Sequence, residues 1–186
     1  MHGISASYVL RSSCVVVYDF RVDPSGLQWL EADLQIAASA PNRAAQPWIV
    51  FNTHRPLYCS ITHDACTKEA AGLRAKLESL LLKYGVDLVI TGHVHDYERM
   101  YAIDQGAVAS TNYVNPGAPV YIVNGASGNH EGLDNQWQAP PPAWSAYRAS
   151  EFGFGILTVL DAQHLQWEFI RDSDYMAEDG FVITKS

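Results

Sequence analysis

Nowhere in the sequence do apolar residues run together for the roughly 18 to 20 positions that a bilayer-spanning helix needs, so no membrane span is predicted. The opening stretch MHGISASYVLRSSCVVVYDF also lacks a basic segment ahead of a long apolar core. Arg11 sits between two short apolar clusters, and no signal peptide is visible. Basic residues are scarce: 12 Lys and Arg stand against 20 Asp and Glu, for a net charge of -8. No Lys/Arg-rich run is present to track a phosphate backbone, which argues against a nucleic-acid partner. Three cysteines are too few for a disulfide scaffold. Cys59 and Cys66 stand seven apart in a polar loop, and Cys14 heads an apolar run; one local disulfide and free thiols in a reducing compartment are both open.

Core material is plentiful. The 186 residues are 48% hydrophobic and 11% aromatic, enough for one ordinary domain and too much for a disordered tail. Cys14 to Phe20 (CVVVYDF), Trp48 to Asn52 (WIVFN) and Val86 to Ile90 (VDLVI) read as short buried strands. Between the first two, Ser25 offers an N-cap with Gln28 three residues on, and Leu27, Leu30 and Leu34 mark one helical face. Between the second and third, Leu73, Leu77, Leu80, Leu81 and Tyr84 form an amphipathic stripe that ends at Gly85. Short continuous apolar strands alternating with helices predict an α/β fold, with parallel pairing and helices on the faces. Further on, Val120 to Val123 reads as a strand before a Gly- and Pro-rich loop. Phe154 to Leu160 and His164 to Ile170 read as an antiparallel hairpin, and Phe181 to Thr184 as a last strand. No internal repeat or linker divides the chain.

The chemistry sits where strands stop. TGHVHDYER follows the third strand, and in a continued strand His93 and His95 would point to opposite faces. A turn at Gly92 instead presents both in the crevice beyond the carboxyl ends of the strands, where open α/β sheets bind ligands. His54 holds the matching place after WIVFN. Neutral imidazole is the commonest metal ligand, and two histidines flanking one point suit a two-metal site. Asp96, Glu98 and Arg99 are expected to pair and to orient the histidines by hydrogen bonds. His2, His130 and His164 lack such support and read as structural or solvent-facing.

With GHVHDYER preceded by HRPLY at His54 to Tyr58, the chain resembles the purple acid phosphatases, dinuclear metallophosphoesterases of the calcineurin-like superfamily. LQWLEADL from Leu27, KYGVDLVITGHVHDYER, PVYIVNGASG and the run from Trp144 to Lys185 extend the likeness over residues 14–186, with 1–13 standing outside it. The resemblance implies a partial metallophosphoesterase sandwich of buried strands, flanking helices and a C-terminal antiparallel hairpin. It implies His54 and His93 as ligands of a divalent metal, zinc, iron or manganese, and His95 as a ligand of ferric iron. It also implies hydrolysis of phosphomonoesters by a metal-bound hydroxide, and a secreted or lysosome-like location. Plant members carry a histidine pair nine and ten residues after the first ligand, thought to contact substrate and protonate the leaving group. Here those positions hold His63 and Asp64, the two candidate catalytic residues: His63 is expected to keep the role, and Asp64, which departs from the plant pattern, leaves the identity of the general acid open.

Other family blocks are missing. No Gly is followed by Asp anywhere, so GDxG and GDxxY, which carry an aspartate and a bridging aspartate with a tyrosine, do not occur. GNHE does occur, at Gly128 to Glu131, but after GHVH rather than before HRPLY; it reads as coincidence. Two adjacent cations on three neutral imidazoles would have no bridging anion to offset their repulsion, and ferric iron favours oxygen donors. The chain alone is therefore expected to hold at most one divalent ion, to be weak or inactive as an isolated phosphatase, and to be a C-terminal fragment. An exposed sheet edge is expected to invite self-association. A non-catalytic metal-binding or interaction protein on the same fold and a calcineurin-like phosphodiesterase are the alternatives.

Overall fold

Residues that alternate in a strand face opposite layers, and that alternation decides how this molecule is stacked. A computed structural model describes residues 24–186 together with the backbone of residues 8–11. The elements in chain order are β1 (Tyr8–Arg11), α1 (Pro24–Ala37), α2 (Ala40–Ala45), β2 (Val50–Thr53), a π-helical turn (Ala65–Glu69) that runs into α3 (Ala70–Lys83), β3 (Leu88–Thr91), β4 (Tyr97–Asp104), β5 (Ala107–Ser110), β6 (Val120–Asn124), β7 (Ser145–Ala149), β8 (Gly153–Val159), β9 (His164–Arg171) and β10 (Ala177–Thr184). The strand expected at Cys14 to Phe20 lies outside the described residues.

One sheet runs β2-β3-β6-β4-β5, with β7 also on β4. The β2–β3 and β3–β6 pairs are parallel, whereas β4 is antiparallel to β5, β6 and β7. A second sheet runs β1-β8-β9-β10, and its last three strands are antiparallel, as the hairpin pattern predicts.

Alternation in the first sheet is strict. Ile49, Phe51, Val89, Tyr121 and Val123 pack with Leu30 and Leu34 of α1 and Leu77 and Leu81 of α3. Their neighbours Val50, Leu88, Ile90, Val120 and Ile122 pack instead with Leu157, Leu165, Trp167 and Phe169 of the second sheet. Burial of each such Leu or Phe contributes about 1.5–3 kcal/mol. The sequence reading put helices on both faces; among the described residues they cover one, and the second sheet covers the other. β8 and β9 alternate buried with half-buried residues, the pattern of a sheet packed on one side only.

Two local readings also change. α1 begins at Pro24, so Ser25 lies inside the helix rather than capping it. Proline's fixed φ suits the first helical turn, where its missing N–H costs nothing. At the amino ends of the parallel strands, the Asp87 carboxylate accepts from Ile49 N (2.8 Å), Arg43 Nη1 (2.8 Å) and Lys185 Nζ (2.7 Å). This buckle joins α2, β2, β3 and the end of the chain. The cleft of about 320 Å³ beside it, lined by Asp87, Pro116 and Lys185, has its charges engaged within the fold. The opposite end of the sheet carries the histidines.

Candidate metal centre

His54 follows β2 directly, and the residues after it hold it still. Leu57 and Tyr58 are buried; the Tyr58 hydroxyl donates to Glu78 on α3, and its ring meets Tyr121 edge-on. Gly92 N donates to His54 O at 3.0 Å, which ties the end of β3 to the end of β2.

The turn expected at Gly92 is centred one residue later. Val94 N donates to Gly92 O at 2.8 Å, closing a γ-turn around His93, whose φ is 66°. A non-glycine residue in this region is strained, and such strain concentrates at functional sites. The turn drives Val94 into the core and leaves His93 and His95 in the crevice. His54 Nε2 and His93 Nδ1 then face one another at 3.0 Å. Burial, with the Arg55 guanidinium and the neighbouring His54 and His63, pushes the His93 imidazole down to about 4. Its ring is therefore neutral through most of the acid range; Arg55 Nη1, 3.2 Å from its Nε2, can only donate, so the proton lies on Nδ1 and is donated to His54 Nε2, where a metal ion would replace it.

Gly125 guards this turn from β6. Its N–H donates to Asp96 O at 3.0 Å, and a Cβ there would lie 2.0 Å from Val94 O. Backbone on both sides leaves no flexible atom to yield. Gly125→Ala is expected to cost about 1–3 kcal/mol by overpacking and to displace His93 and His95. Thermal unfolding and cobalt(II) titration of the variant would show both losses; unchanged cobalt affinity would mean the turn tolerates the methyl group.

The loop from Cys59 to Cys66 is closed by a disulfide, the local pairing that the cysteine spacing allows, and it carries His63; Cys14 lies outside the described residues. Ala65 N donates to His63 Nδ1 at 3.1 Å, so a neutral His63 keeps its proton on Nε2. The His63 ring lies 5.7 Å from that of His93, centroid to centroid. Asp64 lines an adjoining cleft of about 710 Å³, but its carboxylate is taken by Lys68 at 2.9 Å.

Three expectations need correction. Glu98 and Arg99 do not orient the histidines. Glu98 is wholly buried and accepts from Ser60 N (2.8 Å), Ser60 Oγ (2.5 Å) and Ser145 Oγ (2.5 Å). Arg99 forks onto Asp179 at 2.7 and 2.8 Å and donates to Tyr113 OH. Asp96 is buried with neither carboxylate oxygen hydrogen-bonded among the described residues. Burial, with the charges of Glu98 and Asp134, holds its pKa well above the usual carboxylate range. What does hold His95 is Asp134: its Oδ2 accepts from His95 N at 2.8 Å, and its N–H donates to His95 O at 2.9 Å.

The GNHE block, set aside on sequence, lies on the cleft wall. Asn129, His130 and Glu131 line the same cleft of about 880 Å³ as His54, His93 and His95. Glu131 Oε2 stands 3.7 Å from His95 Nδ1. Loops that follow parallel strands all emerge at one end of the sheet, so a segment leaving β6 reaches the crevice at β2 and β3 whatever its place in the chain.

The donor set suits part of one metal site. With metal–nitrogen bonds of about 2.0–2.1 Å, two imidazoles at right angles on one ion place their nitrogens about 3 Å apart, and His54 and His93 meet that spacing. Among the described residues no group of three or more His, Cys, Asp or Glu side chains forms a complete cage. Nor is any helix long and apolar enough to cross a membrane among the residues described.

Comparison with known proteins agrees with this geometry. Residues 2–97 match the calcineurin-like phosphoesterase family, and residues 118–180 match the iron/zinc purple acid phosphatase-like protein C family. Human acid phosphatase type 7 is 39% identical over 168 residues, covering 84% of this chain and 37% of that protein. An Arabidopsis thaliana protein named Fe(3+)-Zn(2+) purple acid phosphatase 12 is 33% identical over 175 residues, covering 91% of this chain and 36% of its own length. The structure of a purple acid phosphatase from yellow lupin (Lupinus luteus) seeds superposes with a TM-score of 0.79 at 29% identity, over 96% of this chain and 31% of that one. The chain thus spans about a third of the length of the relatives it matches. By these matches and by its strand-end histidines, the chain belongs to the calcineurin-like phosphoesterase family, on its purple acid phosphatase branch.

Proposed function

We propose that this chain supplies the histidine side of a metal-dependent phosphomonoesterase centre. The observation that carries the reading is the 3.0 Å approach of His54 Nε2 and His93 Nδ1 in a crevice that also holds His63 and His95. His54 and His93 would hold one divalent ion, and His95 would face a second. When bound, such ions polarise phosphate oxygens and make a water acidic enough to attack at moderate pH. The chain's own residues do the rest. His63, with its proton on Nε2, donates to the leaving-group oxygen. Asp64, bound to Lys68, takes no part in that transfer. Asp134 fixes the backbone of His95 and thereby its place in the crevice. An oxidising, exported location is part of the same proposal, supported by the Cys59–Cys66 bridge.

A metal-binding module without catalysis is the second reading, favoured by the incomplete ligand cage among the described residues. Elemental analysis of the purified 186-residue chain, with p-nitrophenyl phosphate turnover at acid pH on the same sample, separates the two. We expect no more than one divalent ion per chain, with turnover appearing only in a form that also carries upstream carboxylate ligands. That form should hydrolyse monoesters faster than the matching diester, bis-p-nitrophenyl phosphate. A diester preference would overturn the substrate class, and absence of turnover there would favour the module.

A further inference from the structure

Arg55 sits in an electrostatically awkward place. Its Nη1 lies 3.2 Å from His93 Nε2 and pairs with the Glu69 carboxylate. A guanidinium does not lose its proton, so a permanent positive charge stands against the ring that would hold a metal cation. Glu69 offsets part of that repulsion, but both side chains are more than two-fifths exposed. An ion pair of that kind contributes little to folding. Stability is therefore a poor reason for the arrangement.

The rest of the guanidinium points to a different one. Among the described residues, the hydrogen bonds of Arg55 all run through Nη1, which leaves the Nε–Nη2 edge open. That edge is a two-pronged donor whose spacing matches two oxygens of a phosphate. Arg55 lines both the cleft that holds His54, His93 and His95 and the adjoining one that holds His63. Among the described residues that line these two clefts Arg55 is the one Lys or Arg, and the residue after His63 is Asp64, which pairs with Lys68.

We propose that Arg55 is a substrate-binding residue of this crevice, gripping the phosphate of the ester through its Nε–Nη2 edge beside His63. The proposal rests on the phosphomonoesterase reading. It predicts effects of opposite sign, which a residue that merely props up the site would not produce. Removing the guanidinium relieves the repulsion at His93 and leaves Glu69 behind, so zinc should bind more tightly; phosphate should bind more weakly.

Calorimetric titration of zinc into the chain, and then of inorganic phosphate into the zinc-loaded chain, tests this. Arg55→Ala is expected to bind zinc more tightly than wild type and phosphate about tenfold more weakly. Arg55→Lys should recover part of the phosphate affinity, since an ammonium keeps the charge but not the fork. Lys83→Ala, which removes a cation paired with Glu31 away from both clefts, should match wild type. Equal phosphate affinity in Arg55→Ala and wild type would overturn the proposal and leave the phosphomonoesterase reading standing. Zinc and phosphate affinity falling together would also overturn it, by showing a structural role. Wild-type chain that takes up no phosphate, with or without zinc, would also overturn the proposal, while the phosphomonoesterase reading is tested separately, by turnover in the form that carries the carboxylate ligands.

Discussion

Replacing His93 with alanine is expected to abolish tight binding of a divalent ion by this chain. His54 would be left as a lone imidazole, since the nitrogen now 3.0 Å from its Nε2 would be gone. Loss of groups that only orient metal ligands already costs about 10–100-fold in affinity or activity, so removal of a ligand should exceed about 100-fold. Cobalt(II), whose visible absorption reports nitrogen ligation, gives a direct readout in the 186-residue chain. In a form that carries the upstream carboxylates, His93→Ala and His95→Ala should each remove phosphomonoester turnover. The two should differ in the 186-residue chain: His95 faces Glu131 rather than His54, so its loss should leave most of the single-ion affinity. Near-normal cobalt binding in His93→Ala would sink the assignment of His54 and His93 to one ion.

The largest loss of stability is expected away from the crevice, at Glu98. Its carboxylate gathers the Ser60 backbone and hydroxyl from the loop after HRPLY and the Ser145 hydroxyl from the start of β7, and Arg148 Nε stands 3.7 Å away. Glu98→Ala leaves those donors without their acceptor and removes the carboxylate from a largely buried arginine, which keeps its hydrogen bonds to Ser145 Oγ and Gln138 O. Breaking a buried charged network in this way costs about 3–5 kcal/mol. For a chain of this size that corresponds to a fall in thermal midpoint of roughly 6–20 °C. Glu98→Gln keeps the shape and one acceptor oxygen, and should lose less. Differential scanning calorimetry of the two variants would check the ranking; an alanine variant within about 1 kcal/mol of wild type would show that water replaces the carboxylate freely.

Much of the crevice was legible because its histidines sit where apolar runs stop. WIVFN and VDLVI are short, continuous and followed at once by His54 and by Gly92-His93, a pattern that parallel strands produce. The hairpin of β8 and β9 was legible by alternation. β4 was not, because its opening Tyr97, Glu98 and Arg99 read as polar loop. They are strand residues whose polar groups are taken up by hydrogen bonds from Ser60 and Ser145 and by the Asp179 carboxylate, partners between 38 and 82 residues away. Asp134 was invisible for a similar reason: it binds His95 from 39 residues away, out of the irregular loop that follows β6. The GNHE segment is a different failure, since the signal was there. It leaves a strand that pairs parallel to β3, and that alone places it at the crevice.

The disulfide between Cys59 and Cys66 links chemistry to the place of synthesis. The bridge spans only the loop that carries His63; His54 and His93 are set by β2, β3 and their turns, which contain no cysteine. Protein made in a reducing cytosol would therefore keep the proposed metal-binding pair, while the loop that carries His63, the proposed proton donor, would lose its covalent tie and be held by hydrogen bonds such as those to Glu98 and Gln136. Under the proposed mechanism, such a preparation would take up metal normally and position its proton donor less well. The choice of expression host thus becomes a variable of the assay itself, and an oxidising secretory route is the one to use when activity is the question.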